Sequence, residues 1–158
     1  MEKLILGEAA RTIDERYRLS VPGEFVEALA AEAGQCILAK EQPGCLSLWS
    51  AATWQARLDE GVRLVESKIL ARRLDGRLDE VQRLGRLLST RHRPVQLAGR
   101  GRLVVPEGFR EFLAVEPNGT VMIIGAAVCV EIWQPDKWHE HIAREMPDFR
   151  GLLDRLVG

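Results

Sequence analysis

The sequence has few of the residues on which extracellular and membrane-anchored proteins depend. Only three cysteines occur among its 158 residues, and none forms a C-x-x-C pair. An odd, scattered set of cysteines favours reduced, buried thiols over a disulfide framework or a zinc site. Near the N-terminus the only apolar run is Leu4-Ile5-Leu6, which is too short for a signal-peptide core, and no segment approaches membrane-spanning length. We therefore expect a soluble, cytoplasmic protein with no membrane partner.

Groups that could carry catalysis are also scarce. The chain has three histidines: His92, His139 and His141. The last two are two residues apart on a predicted helix, so they cannot converge on one metal ion. His141 and Glu145 are four apart and could converge, but two ligands do not make a site. Ser20 has no histidine nearby, and Gly99-x-Gly101 lacks the rest of a nucleotide-binding fingerprint. We expect no enzymatic activity, no cofactor and no bound metal.

Overall charge gives little indication of a partner, because the formal net charge is -1. The distribution is uneven, however. Residues 83–102 contain no acidic residue and six arginines: Arg83, Arg86, Arg91, Arg93, Arg100 and Arg102. A basic zone on an acidic body can attract phosphate while the protein stays soluble. An arginine-rich helix end exposed to solvent explains the same composition equally well, so both interpretations stay open.

The second half of the chain repeats the first in one constant register, without a gap. Residues 16–22 align with residues 100–106, and the same alignment pairs the rare residues Cys45, Trp49 and Trp54 with Cys129, Trp133 and Trp138. Such matches indicate one structural unit used twice. We call this register the repeat alignment. We predict a first unit at 1–50, a helical connector at 51–93, a second unit at 94–143 and a helical tail at 144–158.

Local patterns predict an α+β fold in each unit. In the first unit we expect a strand at 12–21 that ends at Pro22, a helix at 23–33 and strands at 36–39 and 45–49. In the second unit we expect a strand at 95–105, a helix at 107–113 and strands at 121–124 and 129–133. Within the connector, residues 51–88 have helical apolar spacing that Asp75-Gly76 interrupts, which predicts two helices and a turn.

Two pairs of arginines are the best candidates for binding. Arg16 and Arg18 are two residues apart on a predicted strand, so we expect them to point to one face, and Arg100 and Arg102 should do the same. The planar guanidinium suits both phosphate oxygens and the edge of guanine. An edge strand that carries arginines only to remain soluble is the alternative.

The segment around the first pair resembles the signature of the MraZ family, bacterial transcription regulators built from two AbrB-like units. The family pattern is approximately I-D-x-K-G-R-L-x-x-P. Asp14, Arg18, Leu19 and Pro22 match it, and residues 101–106 match its G-R-L-x-x-P portion. Further similarity lies in Leu6-Gly7-Glu8 and in Glu131-Ile132-Trp133 with Trp138. The order of unit, helical connector and unit is also similar, so the resemblance covers nearly the whole chain.

The resemblance implies a fold, an assembly and a function. The two units would be of the swapped-hairpin AbrB type and would pair into one barrel-like domain. Copies would form a ring-like homo-oligomer that binds repeated promoter sites in double-stranded DNA and usually represses division and cell-wall genes. The protein would be cytoplasmic and nucleoid-associated. Arg16, Arg18, Arg100 and Arg102 would contact DNA, and Asp14 would position Arg18.

Two departures from the family pattern put the equivalence of the motifs in doubt. Tyr17 replaces the glycine that Gly101 keeps, and a tyrosine resists the positive φ that glycine allows. The first motif is therefore expected to be reshaped, or its tyrosine to stack on a sugar or base. Ala98 replaces the second aspartate, so Arg102 lacks the carboxylate that Arg18 has in Asp14. These changes keep a second function open, a ring-forming scaffold that binds a protein partner and has lost operator binding.

Overall fold

The computed structural model describes residues 3–158, and it confirms the α+β class. The strands are β1 (Ile5–Thr12), β2 (Arg18–Ser20), β3 (Gln35–Gln42), β4 (Cys45–Ser50), β5 (His92–Gln96), β6 (Arg102–Val104), β7 (Thr120–Ala127) and β8 (Val130–Trp133). The α-helices are α1 (Gly23–Leu29), α2 (Ala51–Leu70), α3 (Leu78–Thr90), α4 (Arg110–Leu113), α5 (Pro135–Glu145) and α6 (Phe149–Val157). Short 3-10 turns lie at Glu32–Gly34, Gly99–Gly101 and Met146–Asp148. No helix within residues 3–158 has the length and apolar character needed to cross a membrane.

The two halves of the chain build one sheet by exchanging their first strands. Six strands pair antiparallel in the order β1-β7-β8-β4-β3-β5. Strand β1 of the first half therefore pairs with the β7–β8 hairpin of the second, and β5 of the second half pairs with the β3–β4 hairpin of the first. The expected closed, barrel-like domain is not confirmed, because among the described strands β1 and β5 are the two unjoined edges of an open sheet.

Two further strands, β2 and β6, form a separate two-stranded antiparallel sheet, which we call the motif ribbon. The main core lies on one face of the large sheet, beneath this ribbon and the short helices α1 and α4. Leu19 and Leu103 of the ribbon are almost fully buried there, beside Phe25 and Phe109. Because each half supplies one strand and one phenylalanine, the core cannot be completed by either half alone.

The second face of the sheet explains why the rare tryptophans repeat. Trp49 and Trp54 lie with their ring centroids 5.8 Å apart under the start of α2, and Trp133 and Trp138 lie 5.5 Å apart under the start of α5. Each pair packs on the hairpin of its own half and on one cysteine of the other half, Cys129 for the first pair and Cys45 for the second. All three cysteines are buried and unpaired, as the sequence predicted: Cys36, Cys45 and Cys129.

The predicted long strands at 12–21 and 95–105 are wrong, because a tight turn interrupts each of them. Strand β1 ends at Thr12 and β2 begins only at Arg18, while β5 ends at Gln96 and β6 begins at Arg102. A backbone hydrogen bond closes each turn, from Asp14 N to Arg18 O in the first and from Ala98 N to Arg102 O in the second, and the Asp14 side chain accepts two further backbone N–H bonds in the first. The start of β1 at Ile5 was not predicted at all.

The helices differ from the predictions mainly at their ends. Helix α1 ends at Leu29 instead of Ala33, because Ala30 takes a left-handed conformation with φ of 50°. Helix α4 is shorter than predicted and contains only Arg110–Leu113. The connector is two helices, α2 and α3, and the turn between them contains Gly76 at φ of 81°, as its sequence predicted.

Gly101 offers a direct test of how tightly the second turn is packed. It has φ of 74°, and a Cβ there would lie 2.6 Å from Val26 Cγ2 and 2.7 Å from the Val21 carbonyl oxygen. We expect Gly101→Ala to lower the free energy of unfolding by about 1–3 kcal/mol in a urea titration. Gly99→Ala is the matched control, since a Cβ at Gly99 meets nothing within 4 Å. Equal effects of the two substitutions would contradict this account of the turn.

Candidate nucleic-acid interface

The two motif turns have the same backbone geometry, and the motif ribbon joins them. In the first turn Asp14 N donates to Arg18 O, and in the second Ala98 N donates to Arg102 O, both at 2.9 Å. Between the turns, Val21 N donates to Gly101 O and Val105 N donates to Tyr17 O, again at 2.9 Å. Because each bond matches its partner under the repeat alignment, the two motifs form one unit with approximate two-fold symmetry.

Arginines from both halves lie on the solvent face of the motif ribbon. Arg18 is opposite Val104, and Ser20 is opposite Arg102. Residues that face each other in an antiparallel pair share a face, so these four side chains lie together above the buried Leu19–Leu103 pair. Arg18 and Arg102 are diagonal neighbours, and residues so placed are typically about 7–8 Å apart, with their Cβ atoms somewhat closer. The ribbon thus brings together two guanidinium groups that occupy equivalent positions in the two halves and are distant in sequence.

The other two predicted arginines lie in the turns and not on strands. Arg16 is in the turn between Asp14 and Tyr17, and Arg100 is in the 3-10 turn with φ of 64°. The prediction that Arg16 shares a strand face with Arg18, and Arg100 with Arg102, is therefore wrong. Both turn arginines are exposed. The arrangement is a ribbon with two central arginines and one flanking arginine at each turn.

Asp14 holds the first turn and one arginine at the same time. Its Oδ1 accepts from the backbone N–H groups of Arg16 at 2.8 Å and Arg18 at 2.9 Å, and its Oδ2 accepts from Arg18 Nε at 2.8 Å. The bond from the Arg18 backbone N–H, with the further bonds from Arg16 and the Arg18 side chain, lowers the pKa of the Asp14 carboxyl below its ordinary value of 3.8. Asp14 is therefore ionised at neutral pH, and Arg18 is held through Nε.

The second turn has no such anchor. Ala98 occupies the position of Asp14, and the Arg102 side chain makes no hydrogen bond or ion pair with any residue from 3 to 158. The backbone nevertheless closes in the same way, since Gly101 N donates to Ala98 O at 3.0 Å. A carboxylate is thus unnecessary for the turn itself, and its effect is to fix the arginine.

Tyr17 does not reshape the first turn. It takes φ of 58°, close to the 74° of Gly101. The Arg110 guanidinium lies over its ring, 4.3 Å from the centroid, and Arg110 Nε donates to Val105 O at 2.8 Å. A tyrosine that is covered in this way is not free to stack on a base unless Arg110 moves.

Arg110 is not among the residues that the sequence motifs single out, although the repeat contains a signal for it. The repeat alignment pairs Arg110 with Val26, whose methyl group is the one that a Cβ at Gly101 would meet. The second turn therefore has a glycine against a valine, and the first has a tyrosine against an arginine. The two substitutions compensate each other, and they place an extra guanidinium beside the first turn alone.

The remaining arginines of the basic segment have different surroundings. Arg91 forms an ion pair with Glu41 at 3.1 Å and lies over the Trp54 ring, while Arg93 lies over the Phe109 ring. Both are therefore tied to the body of the protein. Arg83 and Arg86 are on α3 and form no ion pair with any residue in the described part of the chain.

Comparison with known proteins assigns the chain to a family. The family model described as "MraZ protein, putative antitoxin-like" matches residues 4–77 and 91–156. The match covers both halves, leaves out residues 78–90 of the connector between them and supports the internal repeat. Because it includes most of the chain, the protein belongs to the MraZ family.

Similar proteins agree over nearly their full length. Proteins named "Transcriptional regulator MraZ" from Syntrophomonas wolfei and Heliobacterium modesticaldum are 26% and 28% identical to this chain, with 98% of this chain and 97% of each relative covered. The protein of the same name from Methylobacillus flagellatus is 30% identical, with 96% of both chains covered. The family is thus one of transcription regulators.

Removing the Asp14 carboxylate should release Arg18 without unfolding the protein, because the second turn closes around Ala98. We expect Asp14→Ala to lower the thermal midpoint slightly at pH 7. Since the folded pKa is lowered, this contribution is complete above pH 3.8 and is lost as the pH falls through the folded value. The difference from the unchanged protein should therefore shrink below pH 3.8.

Thermal unfolding at pH 7 and at about pH 3 measures this difference, since the ordinary pKa of Asp14 lies between the two. The reciprocal variant Ala98→Asp should raise the midpoint at pH 7 and lose that gain in acid. A difference for Asp14→Ala that is the same at both pH values would show that the charge of Asp14 is not what stabilises the turn.

Proposed function

We propose that this protein is a sequence-preferring, DNA-binding transcription regulator whose DNA contacts come from the motif ribbon and its two turns. The observation that carries the proposal is that Arg18 and Arg102, from different halves, share the solvent face of the ribbon, with the exposed Arg16 and Arg100 in the flanking turns. The major groove admits a two-stranded ribbon, and arginine is suited to both phosphate and guanine. The strand exchange between halves supports assigning them to the swapped-hairpin AbrB type.

The two central arginines have unequal roles in this proposal. Arg18 is held by Asp14 through Nε, and its terminal nitrogens form no hydrogen bond within the described residues. A guanidinium group that is already oriented suits hydrogen bonding to the edge of a base, because the affinity of such a contact depends on its geometry. Arg102 has no carboxylate partner, so its side chain can adjust to the phosphate oxygens of DNA. Contacts with phosphates position a protein but do not read the base sequence. The first motif would therefore specify the site and the second would position the protein.

Assembly into a ring-like homo-oligomer would make these contacts effective. A single ribbon offers few charges, so one copy binds DNA weakly and in a salt-dependent manner. Copies repeated at a fixed spacing gain affinity on repeated promoter sites, because each further contact is intramolecular. The relatives named transcriptional regulators and the family resemblance support a repressor of division and cell-wall genes that acts in the cytoplasm at the nucleoid.

A DNA-binding titration over a range of salt concentrations tests the proposal. The DNA is the promoter region upstream of the protein's own gene, and a scrambled sequence is the control. We expect preferential binding to the promoter, with affinity that falls steeply and linearly in a log–log plot against salt. Arg102→Ala should weaken binding to both sequences and reduce that slope by about 1, while Arg18→Ala should cost about 1–3 kcal/mol on the promoter and reduce the preference.

Arg73→Ala is the matched control, since Arg73 is an exposed arginine in the turn between α2 and α3, which is not part of the motif ribbon. It should leave affinity unchanged. No binding to either DNA by an intact oligomer would refute the proposal and favour a scaffold that binds a protein partner. A large loss of thermal stability in Arg18→Ala would show that this arginine is structural.

We expect the Tyr17–Arg110 pair to make the first turn prefer a different DNA sequence from the second turn. We expect the double variant Tyr17→Gly/Arg110→Val, which copies the second turn into the first, to select DNA sites that are closer to two-fold symmetric. The reason is that the two ends of the ribbon would then differ mainly at Asp14 and Ala98. Selection from a random oligonucleotide pool measures the preference, with Arg110→Lys as the control that keeps the charge. An unchanged preference would show that Tyr17 and Arg110 are bystanders.

A further inference from the structure

The C-terminal helix α6 has an apolar face that nothing in residues 3–158 covers. Phe149, Leu152, Leu153 and Leu156 are spaced as one helical face, and Val157 adjoins them. They are 43–76% exposed. With the neighbouring Met146, these side chains expose roughly 600 Å², at about 100 Å² each, which is as much as the largest apolar patch of a typical monomer. A face of this size on a soluble protein indicates a binding surface.

A groove of matching character runs between α2 and α3. Its walls are aliphatic, with Leu58, Val62 and Val65 on α2 and Leu84 and Leu88 on α3. The cavity has a volume of about 440 Å³, and a second one of about 210 Å³ continues it past Val65 towards the turn between the helices. An elongated apolar groove between two helices is the shape that receives an amphipathic helix.

The internal repeat relates these two surfaces to each other. The repeat alignment places Ala51, the first residue of α2, on Pro135, the first residue of α5. Helices α2 and α5 start over the tryptophan pairs of their own halves, so α2–α3 and α5–α6 are the helical extensions of the two halves. A contact between unlike extensions of successive copies is heterologous, and it forms a ring when the rotation closes.

We propose that α6 of one copy packs lengthwise into the α2–α3 groove of a second copy of this chain. The inference rests on the homo-oligomer proposed above and names the surfaces that build it. The nine residues of α6 extend about 13 Å, and the α2 residues that line the groove, from Trp54 to Val65, extend about 17 Å, so the helix fits within the groove. The apolar area of α6 approaches the area of about 800 Å² that one partner contributes to a stable interface.

Charge at the groove favours one direction of packing. One end of the groove holds Arg57 and Arg91, and the Arg91 charge is already balanced by Glu41. Arg57 lies over the Trp49 ring and has no ion pair within the described residues. The C-terminal end of a helix carries partial negative charge, and Asp154 of α6 likewise has no ion pair in this part of the chain. The C-terminal end of α6 therefore points towards Arg57, which brings Leu156 near Val62.

Disulfide cross-linking of the full chain tests this register. The native thiols do not interfere, because burial raises the pKa of Cys36 to about 11 and that of Cys129 to about 12, and raises the pKa of Cys45 further still. The double variant Leu156→Cys/Val62→Cys should give, under mild oxidation, a ladder of covalent oligomers beyond the dimer on a non-reducing gel. Each single variant should give no ladder.

Leu156→Cys/Leu70→Cys is the matched control, since Leu70 is 86% exposed on the same helix but does not line the groove. It should give no ladder. A covalent dimer from Leu156→Cys alone would overturn the proposal in favour of a symmetric α6–α6 contact. A cross-linked monomer from the test pair would show that α6 covers the groove of its own chain, and no cross-link at all would refute the register.

Light scattering gives a second readout that does not depend on oxidation. Leu156→Asp and Val62→Asp should each reduce the oligomer to smaller species, whereas Leu70→Asp should not. An oligomer that survives both Leu156→Asp and Val62→Asp would overturn the proposal. The DNA titration is a separate measurement: loss of DNA binding with an intact ladder would refute the proposed function and leave this interface standing.

Discussion

Neither half of this protein can complete a sheet or a core with its own strands, and the rest of the structure depends on that constraint. Strand β1 pairs only across to β7, and β5 pairs only across to β3. The exchange forces both motif turns to the same side of the molecule, where reciprocal bonds from Val21 to Gly101 and from Val105 to Tyr17 join them. The shared arginine face is thus a consequence of how the halves complete each other.

Because the two turns have the same backbone geometry, the differences between them lie in their side chains. The same turn is closed twice, once with a carboxylate at Asp14 and once with Ala98, and the left-handed position holds Tyr17 in one turn and Gly101 in the other. Each difference changes what the ribbon presents to solvent and leaves the turn in place. Duplication followed by such changes lets one end of a symmetric site become rigid and selective while the other end stays adaptable.

Much of the fold could be predicted from sequence, because local signals and the repeat agreed. The tryptophan pairs, the hairpin strands and the break at Gly76 all lie where the patterns indicated. The motif segments were harder, since a run of apolar and β-branched residues around Arg16 and Arg18 has the pattern of a single strand. The turn that divides it is closed by local hydrogen bonds, from Asp14 N to Arg18 O and from the Arg16 and Arg18 N–H groups to the Asp14 side chain, which periodicity does not detect.

Residue identity and spacing along the chain are enough to establish two equivalent units, arginines in each motif and membership of the MraZ family. Which of those arginines meet depends on how the chain folds. Arg18 and Arg102 share a face through pairing between strands from opposite halves of the chain, and Arg110 reaches Tyr17 across the same exchange. Contacts of that kind depend on which strands of the two halves pair with each other. That pairing is fixed because the apolar side chains of both halves are buried in one common core.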